Sequence, residues 1–121
     1  MPVFVVHEHN ASRLHWDLRL EMDGVLKSWA VPKEPPLEAN VKRLAIQVDD
    51  HALSYGKFEG VIKEGYGAGT VKIWDNGTYE IVDKKPDKIV FKISGRKMRG
   101  EYVLLKFKKA DEKEWLLFRK E

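Results

Sequence analysis

Apolar and polar residues alternate with a period of two through much of the chain. The clearest run is Leu14, Trp16, Leu18, Leu20 and Met22, interleaved with Arg13, His15, Asp17, Arg19 and Glu21. Successive side chains of a strand point to opposite faces, so this run is a strand with one packed face and one polar face. Asp23-Gly24 is a two-residue hairpin signal, and Val25 to Val31 returns beside it. Val3 to His7 is β-branched and aromatic, as a strand prefers. Further strands are predicted over Arg43 to Val48, Thr70 to Trp74, Tyr79 to Val82, Lys88 to Ile93, Glu101 to Phe107 and Trp115 to Arg119. Asn76-Gly77 is read as the turn of a second hairpin, and Pro32, Pro35 and Pro36 as a loop. Helical periodicity is weak, and one short helical turn is expected near Glu38 to Val41. Several short strands joined by tight turns predict a mainly β protein with little helix, a small β-barrel of about eight or nine strands.

The chain has 121 residues, the size of one domain, so residues 1–121 are expected to form a single unit. It contains no cysteine, which excludes disulfides, thiolate metal sites and a cysteine nucleophile. No apolar run approaches the roughly 18 residues of a membrane span, and no basic segment precedes an apolar stretch at the N-terminus. A cytoplasmic location and no membrane partner are therefore expected, and a monomer is the expected state. The reactive side chains left are His, Asp, Glu and Tyr. Net charge is +3, but its distribution is uneven. Residues 1–83 hold 9 basic and 13 acidic side chains, net −4, and residues 84–121 hold 13 basic and 6 acidic, net +7. A basic third on a mildly acidic body points to a polyanionic partner.

The polar strand face is chemically unusual. It carries His15, Asp17 and Arg19 where a generic exposed face would carry Thr, Lys and Ser. His15 and Asp17, two residues apart, project the same way about 6.5–7 Å apart along the strand. Both can reach one cation, and His9 from the preceding segment offers a third ligand. Two imidazoles and a carboxylate suit a borderline divalent metal such as Mn, Fe or Zn, with positions left for water or substrate. Arg19 is one step further along that face, where a guanidinium suits a phosphate oxygen or pairs with Asp17 or Glu21.

A second cluster, Asp49, Asp50, His51 and Tyr55, follows a strand end. His51 offers a group that titrates near neutrality, and Tyr55 a phenol. Lys33 and Arg43 are further cationic candidates. Gly65-Tyr66-Gly67-Ala68-Gly69-Thr70 looks like a phosphate cradle, but a strand follows it rather than a helix. It is better read as a tight backbone crossing at a barrel corner.

Phe4 to Glu21 (FVVHEHNASRLHWDLRLE), Gly24 to Lys33 (GVLKSWAVPK), Arg43 to Tyr55 (RLAIQVDDHALSY) and Phe58 to Asp75 (FEGVIKEGYGAGTVKIWD) together resemble the 3′-phosphoesterase domain of DNA ligase D. The resemblance implies a small β-barrel and a manganese-dependent enzyme that cleans 3′ ends of DNA in end-joining repair. It implies removal of a 3′-terminal ribonucleotide by phosphodiester cleavage and of a 3′-phosphate by monoester hydrolysis. It places the metal, Mn2+ or another divalent ion such as Co2+ or Zn2+, on His9, His15 and Asp17. It assigns phosphate binding and catalysis to Arg19, His51 and Tyr55, with Lys33 and Arg43 as accessory phosphate-binding cations. The implied partners are DNA or DNA/RNA primer–template 3′ ends, with an ATP-dependent DNA ligase and a polymerase acting in trans. His51 would either donate a proton to the leaving 3′-oxygen or hold the phosphate, with water as the attacking group. The pattern departs from the family in two ways. Family members fused to ligases carry an N-terminal arm, which this chain, read as a stand-alone minimal version, is expected to lack. His7 occupies a position where glutamine is expected.

Two rival readings come from other classes. A non-catalytic nucleic-acid-binding barrel that recruits a ligase would bind DNA without metal and release no phosphate. A non-haem Fe(II) oxygenase would use His15-x-Asp17 with His51 as a facial triad, and would consume oxygen.

Overall fold

The structure, a computed structural model, describes residues 2–65, 68–107 and 113–120. Nearly all of it is strand: β1 (Val3–Asn10), β2 (Leu14–Met22), β3 (Val25–Val31), β4 (Lys42–His51), β5 (Gly60–Ile62), β6 (Gly69–Lys85), β7 (Lys88–Ser94), β8 (Arg99–Lys106) and β9 (Glu114–Arg119), with a 3-10 turn at Leu53–Lys57. The strands pair antiparallel in the order β1-β2-β3-β4-β9-β8-β7-β6, and β6 returns to pair with β1. This closes an eight-stranded barrel, and β5 adds to β6 as an extra strand. No helix among the described residues is long and apolar enough to cross a membrane.

The Asp23-Gly24 turn forms as expected, with positive φ at both residues (55° and 81°), as a type I′ hairpin requires. It sets the register of β2 on β3, with Met22 opposite Val25 and Arg19 opposite Ser28. The even face of β2 enters the core. Leu18 and Leu20 are fully buried among Phe4, Val6, Trp29 and Leu117. Leu14, at the barrel rim, is the exception at 46% exposed.

Three expectations need correction. The Asn76-Gly77 hairpin does not exist: β6 runs unbroken through it, and neither residue has positive φ. Gly77 is needed for space instead, because a Cβ there would run into the Ser94 carbonyl oxygen and the Phe4 ring. The chain turns after Lys85, where β6 meets β7 with Lys85 opposite Lys88. No helical turn forms near Glu38 to Val41. Asn40 there has φ 69°, which ends any helical path, and the one helical turn among the described residues is Leu53–Lys57. The short strand β5 was not expected at all, and it pairs with the first residues of β6. In the glycine-rich segment, Tyr66 and Gly67 lie outside the described residues. Gly69 fits the crossing reading, since a Cβ there would strike the Asn10 carbonyl oxygen.

Lys84 and Lys85 end β6, and most of the described residues of the basic third lie on β7, β8 and β9. In the closed order β8 stands four strands from β2 in either direction, so these strands form the wall opposite the His15–Asp17–Arg19 strand.

Asp75 holds the β7–β8 turn. Its carboxylate is 2% exposed and accepts backbone N–H bonds from Arg96 (2.7 Å), Lys97 (3.1 Å) and Met98 (2.8 Å). Replacing it by alanine leaves those donors without an acceptor beside a packed core. Asp75→Ala is expected to lower unfolding stability by about 3 kcal/mol, measured by urea denaturation. An unchanged midpoint would mean that the turn holds without the carboxylate.

Candidate metal and anion site

The polar face of β2 points out of the barrel, yet it is not exposed. Paired residues share a face, so register places His9 beside His15, His7 beside Asp17, and Val5 beside Arg19 and Ser28. The segment after β4 lies across this wall. Gly56 packs on the Leu26 and Val5 side chains, and its Cβ position is 3.6 Å from Leu26 Cδ1. Under this cover His7 and Ser28 are fully buried, Arg19 is 3% exposed and Asp17 5%. The ion pairs of this face are therefore covered by protein.

At one end, single ligand atoms of His9, His15 and Asp17 all lie within 4.8 Å of one another. His9 Nδ1 is 3.6 Å from Asp17 Oδ2, and His15 Nε2 is 3.3 Å from Asp17 Oδ1. The other nitrogen of His15, Nδ1, lies 3.1 Å from the Arg13 carbonyl. Carbonyls only accept, so Nδ1 carries hydrogen and Nε2 is the atom turned toward the cluster. An imidazole fixed at its far nitrogen in this way is the usual arrangement of a metal-ligating histidine. The hydrogen bond to Asp17 raises the His15 pKa. Burial pushes the Asp17 carboxyl up, but the His15 hydrogen bond and the Arg19, His15 and His9 charges outweigh it and hold it below its ordinary value. An ionised carboxylate converging with two imidazoles fits a divalent cation.

Arg19 stands beside this trio and is held by protein on several sides. Nε donates to His7 Nδ1 at 3.0 Å, Nη1 to Ser28 Oγ at 2.8 Å, and Nη2 to Asp17 Oδ2 at 3.2 Å. Nη1 also lies 3.1 Å from His51 Nδ1. The Tyr55 ring covers the guanidinium, with its centroid 4.9 Å from Cζ. His7 has a fixed tautomer. Nδ1 accepts from Arg19, so Nε2 carries the hydrogen it gives to the Phe58 carbonyl at 3.1 Å. Burial, then the Arg19 charge, lowers the His7 pKa to about 4. The same two causes lower that of His51. His51 Nδ1 also approaches the Asp49 carbonyl at 3.2 Å. Arginine only donates and a carbonyl only accepts, so His51 makes one of these bonds at a time.

His51 reaches this wall through a bulge. Ser28 faces Val48 but Leu26 faces His51, so two steps of β3 span three of β4. The extra residue reverses the facing of β4 and turns His51 to the arginine. Tyr55, on the 3-10 turn, packs against His51 with centroids 4.6 Å apart and stacks on Phe58 at 5.2 Å.

The structure thus brings together His9, His15, Asp17, Arg19, His51 and Tyr55. It does not bring in Arg43, whose Nε donates to the Glu34 carbonyl (3.0 Å) and whose β4 position shares the facing of core residue Ala45. Lys33 is exposed in the loop after β3, beyond the Trp16–Val31 pair. The third histidine near His15-x-Asp17 is His9, while His51 sits on Arg19, which is not the arrangement a facial triad with His51 needs. Two residues of the network, Ser28 and His7, are not among the sequence-predicted site residues. The two-residue hairpin at Asp23-Gly24 could have found Ser28, because it fixes Arg19 opposite position 28. His7 stands out in the sequence as a departure from glutamine.

Comparison with known proteins gives the family of the chain. The DNA Ligase D 3′-phosphoesterase domain family matches residues 7–106. The multifunctional non-homologous end joining protein LigD of Pseudomonas aeruginosa is 46% identical over 121 aligned residues, covering 94% of this chain and 14% of that protein. The multifunctional non-homologous end joining DNA repair protein LigD of Mycobacterium tuberculosis is 47% identical over 108 residues, covering 85% of this chain and 14% of that protein. LigD of Mycolicibacterium smegmatis is 44% identical, covering 96% of this chain and 16% of that protein. The chain therefore spans a small part of the length of these relatives. With a family match over most of its length and these identities, the chain belongs to the DNA ligase D 3′-phosphoesterase domain family.

Proposed function

We propose that this protein is a metal-dependent phosphoesterase that heals DNA 3′ ends for ligation. It would remove a 3′-phosphate and, by phosphodiester cleavage, a 3′-terminal ribonucleoside, leaving the 3′-OH that a DNA ligase acting with it requires in end-joining repair. The observation that carries this reading is one carboxylate, Asp17, shared between a His/His/Asp trio and a buried arginine. Such a juxtaposition suits a substrate that offers oxygens to both a metal ion and a guanidinium, as a phosphate does.

His9, His15 and Asp17 would hold the metal, with Mn2+ as the first candidate. When bound, it supplies Lewis-acid polarisation of a phosphoryl oxygen and activation of water. Arg19 offers fixed planar donors for charge on the phosphoryl oxygens. His51 acts through Nε2, because Nδ1 is committed to Arg19 or to Asp49. When Nδ1 accepts from Arg19, neutral His51 carries its hydrogen on Nε2. The shifts that burial and Arg19 impose disfavour the imidazolium a general acid needs, which supports a phosphate-holding role. The Tyr55 ring closes the other side of the guanidinium. Lys33 would contact phosphate from the exposed loop, and the place of Arg43 makes its contribution indirect.

With a primer–template ending in 3′-phosphate, phosphate release is expected with Mn2+ and none with chelator. His15→Ala and Asp17→Ala are each expected to lower the rate by at least about a thousandfold and to abolish Mn2+ binding measured by water proton relaxation. Full activity in either variant would overturn the metal assignment, and tight DNA binding without phosphate release would favour a non-catalytic barrel.

The placement of the basic strands gives a second test. Lys88→Gln/Lys92→Gln, on the opposite wall, is expected to leave affinity for the primer–template and its dependence on salt unchanged. A shallower salt dependence in this variant would show that DNA reaches around the barrel.

A further inference from the structure

Arg19 has five N–H groups, and the described residues accept most of them. Nε–H goes to His7, the Nη1 hydrogens go to Ser28 and His51, and one Nη2 hydrogen goes to Asp17. What remains is the second Nη2 hydrogen, beside Asp17 and so beside the trio. His51 is at the edge of the wall and has a second acceptor for Nδ1 in the Asp49 carbonyl, so its bond to Arg19 is exchangeable. His7 and Ser28 differ, because both are fully buried and each is itself oriented by a backbone carbonyl. His7 Nε2–H is tied to Phe58, the residue that ends the 3-10 turn. The Ser28 hydroxyl donates to Leu26 at 3.1 Å, which turns its lone pairs to Arg19. Leu26 and Phe58 stand at the bulge and at the turn, the two features that place His51 and Tyr55.

We propose that His7 and Ser28 are positioning residues that lock the Nε and Nη1 sides of Arg19, so that phosphate meets the guanidinium at its Nη2 edge beside Asp17. This inference rests on the phosphoesterase reading above. Neither residue touches the substrate. They act by holding Arg19 to one orientation and by tying that orientation to the bulge and the turn. Glutamine at position 7 and threonine at position 28 preserve the acceptor each supplies. Leucine and alanine remove it.

The test uses the full chain with Mn2+ and a 3′-phosphate primer–template. Ser28→Ala and His7→Leu are each expected to lower kcat/KM by about tenfold to a hundredfold, the usual consequence of a misplaced reactive group, with Mn2+ affinity unchanged. Ser28→Thr and His7→Gln are expected to recover most of that loss. In nitrogen-15 spectra the Arg19 Nε–H signal should exchange slowly in the unaltered chain and in Ser28→Thr. It should broaden into solvent exchange in His7→Leu. Wild-type kcat/KM in folded Ser28→Ala and His7→Leu would overturn the proposal. So would conservative variants as impaired as the truncating ones, or a rapidly exchanging Arg19 Nε–H in the unaltered chain. If the truncating variants do not fold, the conservative variants and the Arg19 signal decide. If the unaltered chain releases no phosphate, the phosphoesterase reading falls, and the Arg19 signal alone decides the positioning role.

Discussion

Asp17 and Arg19 sit two residues apart on one strand face that the protein then covers. Each charge loses water on burial, and their contact at 3.2 Å repays that loss only if the remaining lone pairs and N–H groups also find partners. Breaking such a pair by removing one member leaves an uncompensated buried charge, typically about 3–5 kcal/mol. The rest of the wall follows from this constraint. Asp17 Oδ1 faces His15, Oδ2 faces His9 and Arg19, and the other nitrogens of the guanidinium face His7, Ser28 and His51. A partly satisfied polar network would cost more than an apolar wall, so these residues form one unit.

Regular β structure alone could not assemble that unit. Alternation on β1, β2 and β3 delivers His7, His9, His15, Asp17, Arg19 and Ser28 to one face. It would deliver Val48 and Asp50 from β4, not His51. The bulge opposite Leu26 and Ser28 inverts the strand in time for His51, and the 3-10 turn then brings Tyr55 back over Arg19. The closed barrel makes these irregularities affordable, because the core on the other side of the wall stays regular and packed.

Much of this was legible in the chain. Period-two alternation gave β2, its buried face and the all-β class. Asp23-Gly24 gave a hairpin whose register also implies the Arg19–Ser28 contact. Asn76-Gly77 misled because the same dipeptide serves two physical needs. At Asp23-Gly24 the chain needs positive φ, whereas at Gly77 it needs the absence of a side chain beside the Ser94 carbonyl. The dipeptide itself does not distinguish these, since Ser94 lies outside it, at the far end of the next strand, β7. The burial of the polar face was hidden for a similar reason, because its cover comes from residues about forty positions later in the sequence. The bulge in β4 leaves no signature in RLAIQVDDH, so the family resemblance supplies a role for His51, but the segment itself does not reveal its facing.

The charge balance is where composition was least informative. The net +7 of residues 84–121 points to a polyanionic partner but not to its place, and most of the described residues of that segment lie on the wall opposite Arg19. At physiological salt, surface charges are screened beyond about 8 Å, so lysines across a barrel contribute little field at the site. The positive charge that the structure places there is local and buried, the Arg19 guanidinium. For the function proposed, that arrangement has a physical logic. A long basic track would grip duplex backbone anywhere along its length, because every phosphate there is alike. A buried arginine with one N–H group not taken by the described residues, next to a metal-type trio, instead rewards a phosphate that can enter a covered wall, and a strand terminus enters more readily than a phosphate held between neighbours on both sides.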